Sequence, residues 1–176
     1  HRLDLRAVMG ALDDAMSGKA MPQRVRLSLG VAGDISVTRA ALGPTRNPLR
    51  LRLSKHTANS QDKTLRHKTS PLPFYDRERA RLKTLENCDE LIFINERGEL
   101  TEGSYTNIFL SLDGQLYSPP MSSGLLAGVL RAELVARGEV KIKTLYPRDI
   151  KRANAVYVGN SVRGLCPAKL KKFDKI

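Results

Sequence analysis

The sequence has 176 residues, 41% hydrophobic and 5% aromatic, with 30 Lys and Arg against 18 Asp and Glu and a net charge of +12. That length holds one or two small domains with a real core, and no apolar run approaches the ~18 residues of a membrane span, so no membrane partner is expected. Cys88 and Cys166 are the only cysteines; without paired spacing they argue for a reducing, cytoplasmic setting and against a metal site. The chain opens HRLDLRAV, with neither a start methionine nor a signal-peptide apolar region, which suggests a fragment or a chain that begins after a removed segment.

From the N-terminus, Asp4 is placed to cap a helix to about Met16, whose Leu5, Val8, Met9, Leu12 and Met16 follow helical spacing. Arg24 to Leu29 alternates polar and aliphatic residues, Ala32-Gly33-Asp34 turns the chain, and Ile35 to Thr38 returns as a hairpin with one buried face. Ala41 to Pro48, ALGPTRNP, reads as a linker and a domain boundary. Leu49 to Ser54 alternates again, and the polar stretch His56 to Leu65 suits a loop leading into a site.

Pro71 and Pro73 delay a helix from about Phe74 to Asn87, and Glu90 to Ile94, ELIFI, reads as a buried strand. Asn95-Glu96-Arg97-Gly98 is a turn that opens an extended run to Ser111, and Leu112 to Gln115 is a second tight turn. Pro119-Pro120 leads into SSGLLAG and a helix from about Gly128 to Arg137. Lys141 to Leu145 reads as a strand, Pro147 as the first residue of a short helix, and Ala155 to Gly159 as the final strand, ending in Asn160-Ser161. Lys169, Lys171, Lys172 and Lys175 form a basic run. It reads as a solvated tail, or as a means of attracting anions; with only Phe173 among those lysines, base stacking is poorly supported and no nucleic-acid partner is expected.

Three stretches carry chemistry. Glu102 is a carboxylate amid strand-forming residues, beside Gly103 and Ser104, which suggests a wall that something approaches closely. Lys68 lies in Arg66-His67-Lys68-Thr69, where cationic neighbours would lower its pKa toward that of a useful base; an exposed loop lysine is the competing reading. In SSGLLAGVLR, Gly128 would let an anion approach a helix start where Val129 and Leu130 offer backbone N–H groups, although a glycine before a helix is common.

E-G-x-x-x-N-[IL]-F, as Glu102 to Phe109, resembles the signature of the class IV (fold type IV) pyridoxal-phosphate enzymes, which include branched-chain and D-amino-acid aminotransferases and 4-amino-4-deoxychorismate lyases. Lys68 stands 34 residues before Glu102, the family's spacing, and HKT followed by FYD is similar to lyase domains fused to para-aminobenzoate synthases. The resemblance implies an α+β, D-amino-acid aminotransferase-like fold with an incomplete small N-terminal domain over residues 1–45 and a cofactor domain over 46–176. It implies pyridoxal 5′-phosphate as cofactor, joined to Lys68, with Glu102 on the ring nitrogen and Gly128, Val129, Leu130 and Ser161 on the phosphate. Tyr157 to Ala168, YVGNSVRGLCPA, resembles the segment holding that serine, with Asn160 and Arg163 toward the substrate; Arg163 could grip a carboxylate or be a surface arginine.

The implied activity is conversion of 4-amino-4-deoxychorismate to para-aminobenzoate and pyruvate in folate biosynthesis, on a small anionic substrate, by a homodimer. A class IV aminotransferase and a non-catalytic basic domain of a fusion protein are the alternatives. The family's upstream phosphate-binding arginine has no clear match here. Pro73 stands where its aminotransferases place a tyrosine, and SPLP stands where the fused lyases have arginines.

Overall fold

A computed structural model describes residues 4–18, 21–70 and 73–171. They divide into two compact units, His1–Pro44 and Thr45–Ile176. In the first, Asp4 accepts hydrogen bonds from the N–H groups of Arg6 and Ala7, at 2.9 and 3.1 Å, and so caps α1 (Leu5–Met16). The antiparallel hairpin β1 (Gln23–Leu29) and β2 (Ile35–Ala41) follows, and Arg39 bonds the carbonyl of Ala15 at 2.7 Å. β2 thus takes in Ala41, and the linker is shorter than its prolines suggest.

The second unit is an eight-stranded sheet. Its members are β3 (Leu49–Leu53), β4 (Glu90–Ile94), β5 (Leu100–Gly103), β6 (Asn107–Leu112), β7 (Gln115–Ser118), β8 (Val140–Ile142), β9 (Ala155–Asn160) and β10 (Gly164–Leu170). The strand order is β5-β4-β3-β10-β9-β6-β7-β8, and β5 also pairs with β6, which closes the first six strands on themselves. That seam is the pair Glu102 and Asn107. The helices are α2 (Pro73–Leu82), α3 (Val129–Ala136) and α4 (Pro147–Arg152), and a short 3-10 turn spans Lys63–Arg66.

Alternation decides what each strand face covers. Ile92, Leu100, Ile108, Leu110 and Val158 belong to one buried cluster with Leu51. On the opposite face of β4, Leu91 and Phe93 pack with Tyr75 of α2. On the opposite face of β6, Phe109 packs with Leu134 of α3. α2 is pinned further by its buried Glu78, which accepts from Ser54 Oγ at 3.0 Å and lies 2.6 Å from His56 Nδ1.

Further boundaries differ from the sequence reading. The extended run after Gly98 breaks at 104–106, so β5 and β6 form a hairpin around Ser104-Tyr105-Thr106. α2 ends at Leu82, because Thr84 turns back onto the carbonyl of Arg81 and Asn87 has φ 56°, outside helical space. β8 keeps only three residues, those paired to β7. β9 is not the last strand: β10 follows and contains Pro167, which the sequence rule would keep out of a paired strand. Pro167 is tolerated because β10 meets β3 only from Ala168 onward. Lys169 is an exposed residue of β10 and Lys171, just past the strand, is exposed too, while Lys172, Phe173 and Lys175, like Pro71, lie outside the described residues. Among the described residues no helix is long and apolar enough to cross a membrane, and no cluster of His, Cys, Asp and Glu is placed to hold a metal.

Candidate active site

Glu102 is the penultimate residue of β5, with only 5% of its surface exposed. Its Oε1 accepts hydrogen bonds from Tyr75 Oη at 2.6 Å and from the backbone N–H of Leu126 at 3.1 Å, and its Oε2 accepts from Asn107 Nδ2 at 3.2 Å. All three donors are neutral, and among the described residues Glu102 has no ion pair. Burial pushes its carboxyl up to about 8; Tyr75 and Leu126 pull it down, Glu90 pushes it further up and Arg131 pulls it back. A buried acid of this kind, short of a positive partner, suits a protonated ring nitrogen.

Tyr75 owes its position to α2, where it stacks edge-on with Phe74 and Phe93 at centroid distances of 5.3 and 5.4 Å. Arg79, one turn on, donates to the carbonyl of Ser104 and so fastens α2 to the 104–106 turn. That turn is built around Glu90, which is fully buried. Glu90 Oε1 accepts from Leu91 N, Ser104 N and Ser104 Oγ at 2.9, 2.9 and 2.7 Å, and Oε2 accepts from Thr106 Oγ1 at 2.9 Å. Burial raises its carboxyl above the ordinary range despite these donors. A Cβ on Gly103 would lie 2.8 Å from Glu90 Oε2 and 2.3 Å from Thr106 Oγ1. What approaches Gly103 closely is therefore Glu90 and Thr106.

The loop before α3 enters the same place. Gly124 (φ 85°) packs so tightly on Ser60 that a Cβ would sit 2.6 Å from its Cα, which sets the segment leading to Lys68 against this loop. Gly128 is the N-cap of α3 and supplies no side-chain cap, so the first turn presents backbone donors. The reason for a glycine at 128 is internal, however: a Cβ would fall 2.2 Å from Asn107 Oδ1. Arg131, in the first turn of α3, is buried with its guanidinium on Ser118 Oγ (3.2 Å) and the Pro119 carbonyl (2.6 Å), and it has no carboxylate partner among the described residues. Burial pulls it below its ordinary value and Glu102 pulls it back up.

The β9–β10 turn completes the cluster. A Cβ on Gly159 would meet Gly164 O at 2.6 Å and Leu130 Cδ2 at 2.9 Å, so β9 runs directly beneath the start of α3. Asn160 Oδ1 accepts from Val162 N and Arg163 N, both at 3.0 Å, and its Nδ2 donates to the Tyr105 carbonyl at 3.2 Å. The amide of Asn160 thus ties two turns together. Ser161 and Arg163 are exposed in the turn beside it.

Glu102, Gly128, Val129, Leu130 and Asn160 are therefore brought to one end of the closed sheet. Lys68 lies in the loop after the 3-10 turn, exposed, and its side chain makes no hydrogen bond or ion pair among the described residues. The residues sequence reasoning passed over are Tyr75, Glu90, Asn107 and Arg131. Their signals were present in FYD, in a glutamate opening an apolar strand, in the motif asparagine and in GVLR, but none announces a partner.

The profile of the family described as Amino-transferase class IV matches residues 13–170. The chain belongs to that family. Its fold is the α+β, class IV aminotransferase-like one, and it is similar to a Mesorhizobium loti protein provisionally named an amino-acid aminotransferase. That structure is 40% identical, has a TM-score of 0.90, and is aligned over 97% of this chain and 83% of its own. A Schizosaccharomyces pombe protein provisionally named an aminodeoxychorismate lyase is 25% identical over 153 residues, 84% of this chain and 66% of its own. A branched-chain amino acid aminotransferase from T.th., solved with pyridoxamine 5′-phosphate, shares the fold at TM-score 0.66 and 18% identity, over 80% of this chain and 50% of its own. The chain spans 34% and 66% of the lengths of the first two curated relatives it matches.

Proposed function

We propose that the chain is a pyridoxal-phosphate enzyme working at the amino group of a small anionic substrate, and specifically a 4-amino-4-deoxychorismate lyase. The observation that carries the cofactor reading is Glu102, a buried acid without a positive partner among the described residues, beside a helix start that has no side-chain cap. When bound, the cofactor supplies an electron-withdrawing ring that lets charge leave the carbon bearing nitrogen.

The chain's own residues would do the rest. Glu102 would sit on the ring nitrogen and keep it protonated. The N–H groups of Val129 and Leu130, with Ser161 across from them, would hold the phosphate. Lys68, in its exposed loop, would carry the cofactor and take the proton from the amine-bearing carbon. Arg163 would pair with a substrate carboxylate. Tyr75 and Asn107 orient Glu102 from two sides. The basic surface would favour an anionic substrate. A homodimer in the cytoplasm, with no nucleic-acid or membrane partner, belongs to the same proposal.

The lyase reading is supported by the S. pombe relative and by HKT followed by FYD. The M. loti relative favours a second reading, an aminotransferase. The test is borohydride reduction with peptide mapping, followed by an assay for pyruvate and para-aminobenzoate over many turnovers with no oxo acid added. A pyridoxyl label on Lys68 and sustained release of both products are expected. Amino exchange between an amino acid and 2-oxoglutarate, without pyruvate release, would replace the lyase by the aminotransferase. No label on any lysine would leave a non-catalytic basic domain.

A further inference from the structure

Leu126 is held at both of its backbone groups. Its N–H donates to Glu102 Oε1 at 3.1 Å, and its carbonyl accepts from Asn107 Nδ2 at 3.0 Å and from Gly128 N at 2.8 Å. The same Asn107 nitrogen also donates to Glu102 Oε2 at 3.2 Å. Both amide hydrogens are thus used, one on the carboxylate and one on the loop that leads into α3. The amide oxygen occupies the space where a Gly128 Cβ would be, at 2.2 Å. Asn107 is 5% exposed, and its backbone lies between Glu102 of β5 and Gly159 of β9.

This environment dictates the residue type. Aspartate has no N–H to give and would add a charge beside Glu102. Glutamine is one methylene longer and would drive its head into Gly128. Leucine would leave Glu102 Oε2 without its donor.

We propose that Asn107 is a positioning residue that fixes the separation between the Glu102 carboxylate and the N-terminus of α3, and so matches the site to a ligand with a cationic ring at one end and a phosphate at the other. The proposal rests on the cofactor reading given above. A rigid span makes the second contact of such a ligand nearly intramolecular once the first has formed. If the span loosens, each end can still bind alone, but the advantage of having both is lost.

The measurement is therefore a ratio. Equilibrium dialysis gives Kd for pyridoxal 5′-phosphate and for pyridoxal, which lacks the phosphate, on the wild type and on Asn107→Ala, Gly128→Ala and the double variant. Asn107→Ala should cut the preference for the phosphorylated form by about tenfold or more while pyridoxal binding changes less. Gly128→Ala should do the same, because its Cβ displaces Asn107. In the double variant the Gly128 methyl has room, since the atoms it would meet all belong to Asn107. The loss there should equal that of Asn107→Ala alone instead of multiplying. An unchanged ratio with a uniformly weaker Kd would make Asn107 merely structural and overturn the proposal, as would multiplicative losses. If Asn107→Ala does not fold, Asn107→Ser takes its place in the same cycle. Absence of binding of either compound to the wild type would instead overturn the cofactor reading, and this inference with it.

Discussion

Tyr75 donates a 2.6 Å hydrogen bond to Glu102, joining the helix that follows the Lys68 loop to the strand that carries the candidate ring-binding acid. The contact fixes where α2 begins relative to β5, and Phe74 and Phe93 hold the phenol there. Burial and the adjacent Glu102 both raise the Tyr75 phenol above its ordinary range, so it stays a neutral donor. Tyr75→Phe removes one donor from a buried acid, a loss of about 1.5–3 kcal/mol for a bond to a charged group. The Glu102 carboxyl then moves further up. Turnover at neutral pH should fall by about one to two orders of magnitude, on the same basis, and recover in part as pH rises. A pH–rate profile identical to the wild type's would make Tyr75 a packing residue only.

How much of this site could be read beforehand depends on whether a residue's partner is local. The turn at Asn95–Gly98 and the β6–β7 turn declare themselves, because Gly98, Asp113 and Gly114 take positive φ and the flanking residues alternate. The motif residue Glu102 is legible as a carboxylate in a strand. Glu90 is not, since apart from the adjacent Leu91 N–H its donors come from residues 104 to 106, across a hairpin whose break the alternating pattern conceals. Asn107 faces the same obstacle: Leu126 and Gly128 are brought to it by the closed sheet. β10 is concealed by Pro167, whose cost is avoided only through the register with β3.

Glu102 makes stability depend on pH in the cofactor-free protein. Its folded value of about 8 exceeds its ordinary 4.5, so the folded state binds the proton more tightly than the unfolded state. The stability this provides is complete below about pH 4.5 and is lost as pH rises through about 8. Glu102→Gln should remove that component, so the gap in denaturation midpoint between variant and wild type should change progressively over this window. Added pyridoxal 5′-phosphate should flatten the wild-type curve if a protonated ring supplies the missing charge. Urea titrations across the window with a constant gap would show that Glu102 ionises as an ordinary exposed acid does. In the loaded enzyme the same substitution should cost about 2–3 kcal/mol of transition-state stabilisation, seen in kcat/KM.

Glu90 offers an independent check on that charge. Glutamine can replace it with one oxygen kept toward Ser104, while the Thr106 hydroxyl turns to accept from the new amide. Glu90→Gln should therefore fold, whereas Glu90→Ala leaves buried donors unmatched at about 1–3 kcal/mol each. Because Glu90 pushes Glu102 up, its neutralisation should lower the pH at which Glu102 titrates, read by carbon-13 NMR of labelled glutamate. If Glu102 titrates unchanged in Glu90→Gln, Glu90 is already protonated in the folded state.

Two glycine substitutions separate packing beneath α3 from simple backbone strain. Gly159 has no positive φ, yet a Cβ there would lie 2.6 Å from the Gly164 carbonyl and 2.9 Å from Leu130 Cδ2. The leucine methyl can rotate away; the carbonyl belongs to Gly164, the first residue of β10, and cannot move without the turn it follows. Gly159→Ala should cost about 1–3 kcal/mol of stability by overpacking. It should also push the Asn160–Arg163 turn away from the start of α3, where Ser161 and the backbone of Leu130 would share a phosphate. Gly114, in the β6–β7 turn, has φ 78° and nothing within reach of an added Cβ. Gly114→Ala should cost a comparable amount, about 1 kcal/mol, through backbone conformation alone. The two variants should thus look alike in thermal melts and differ in ligand binding. Gly159→Ala should weaken pyridoxal 5′-phosphate more than pyridoxal, while Gly114→Ala should leave both as in the wild type. Equal affinities in the two variants would mean that the β9–β10 turn lies outside the phosphate site, and would remove Ser161 from it.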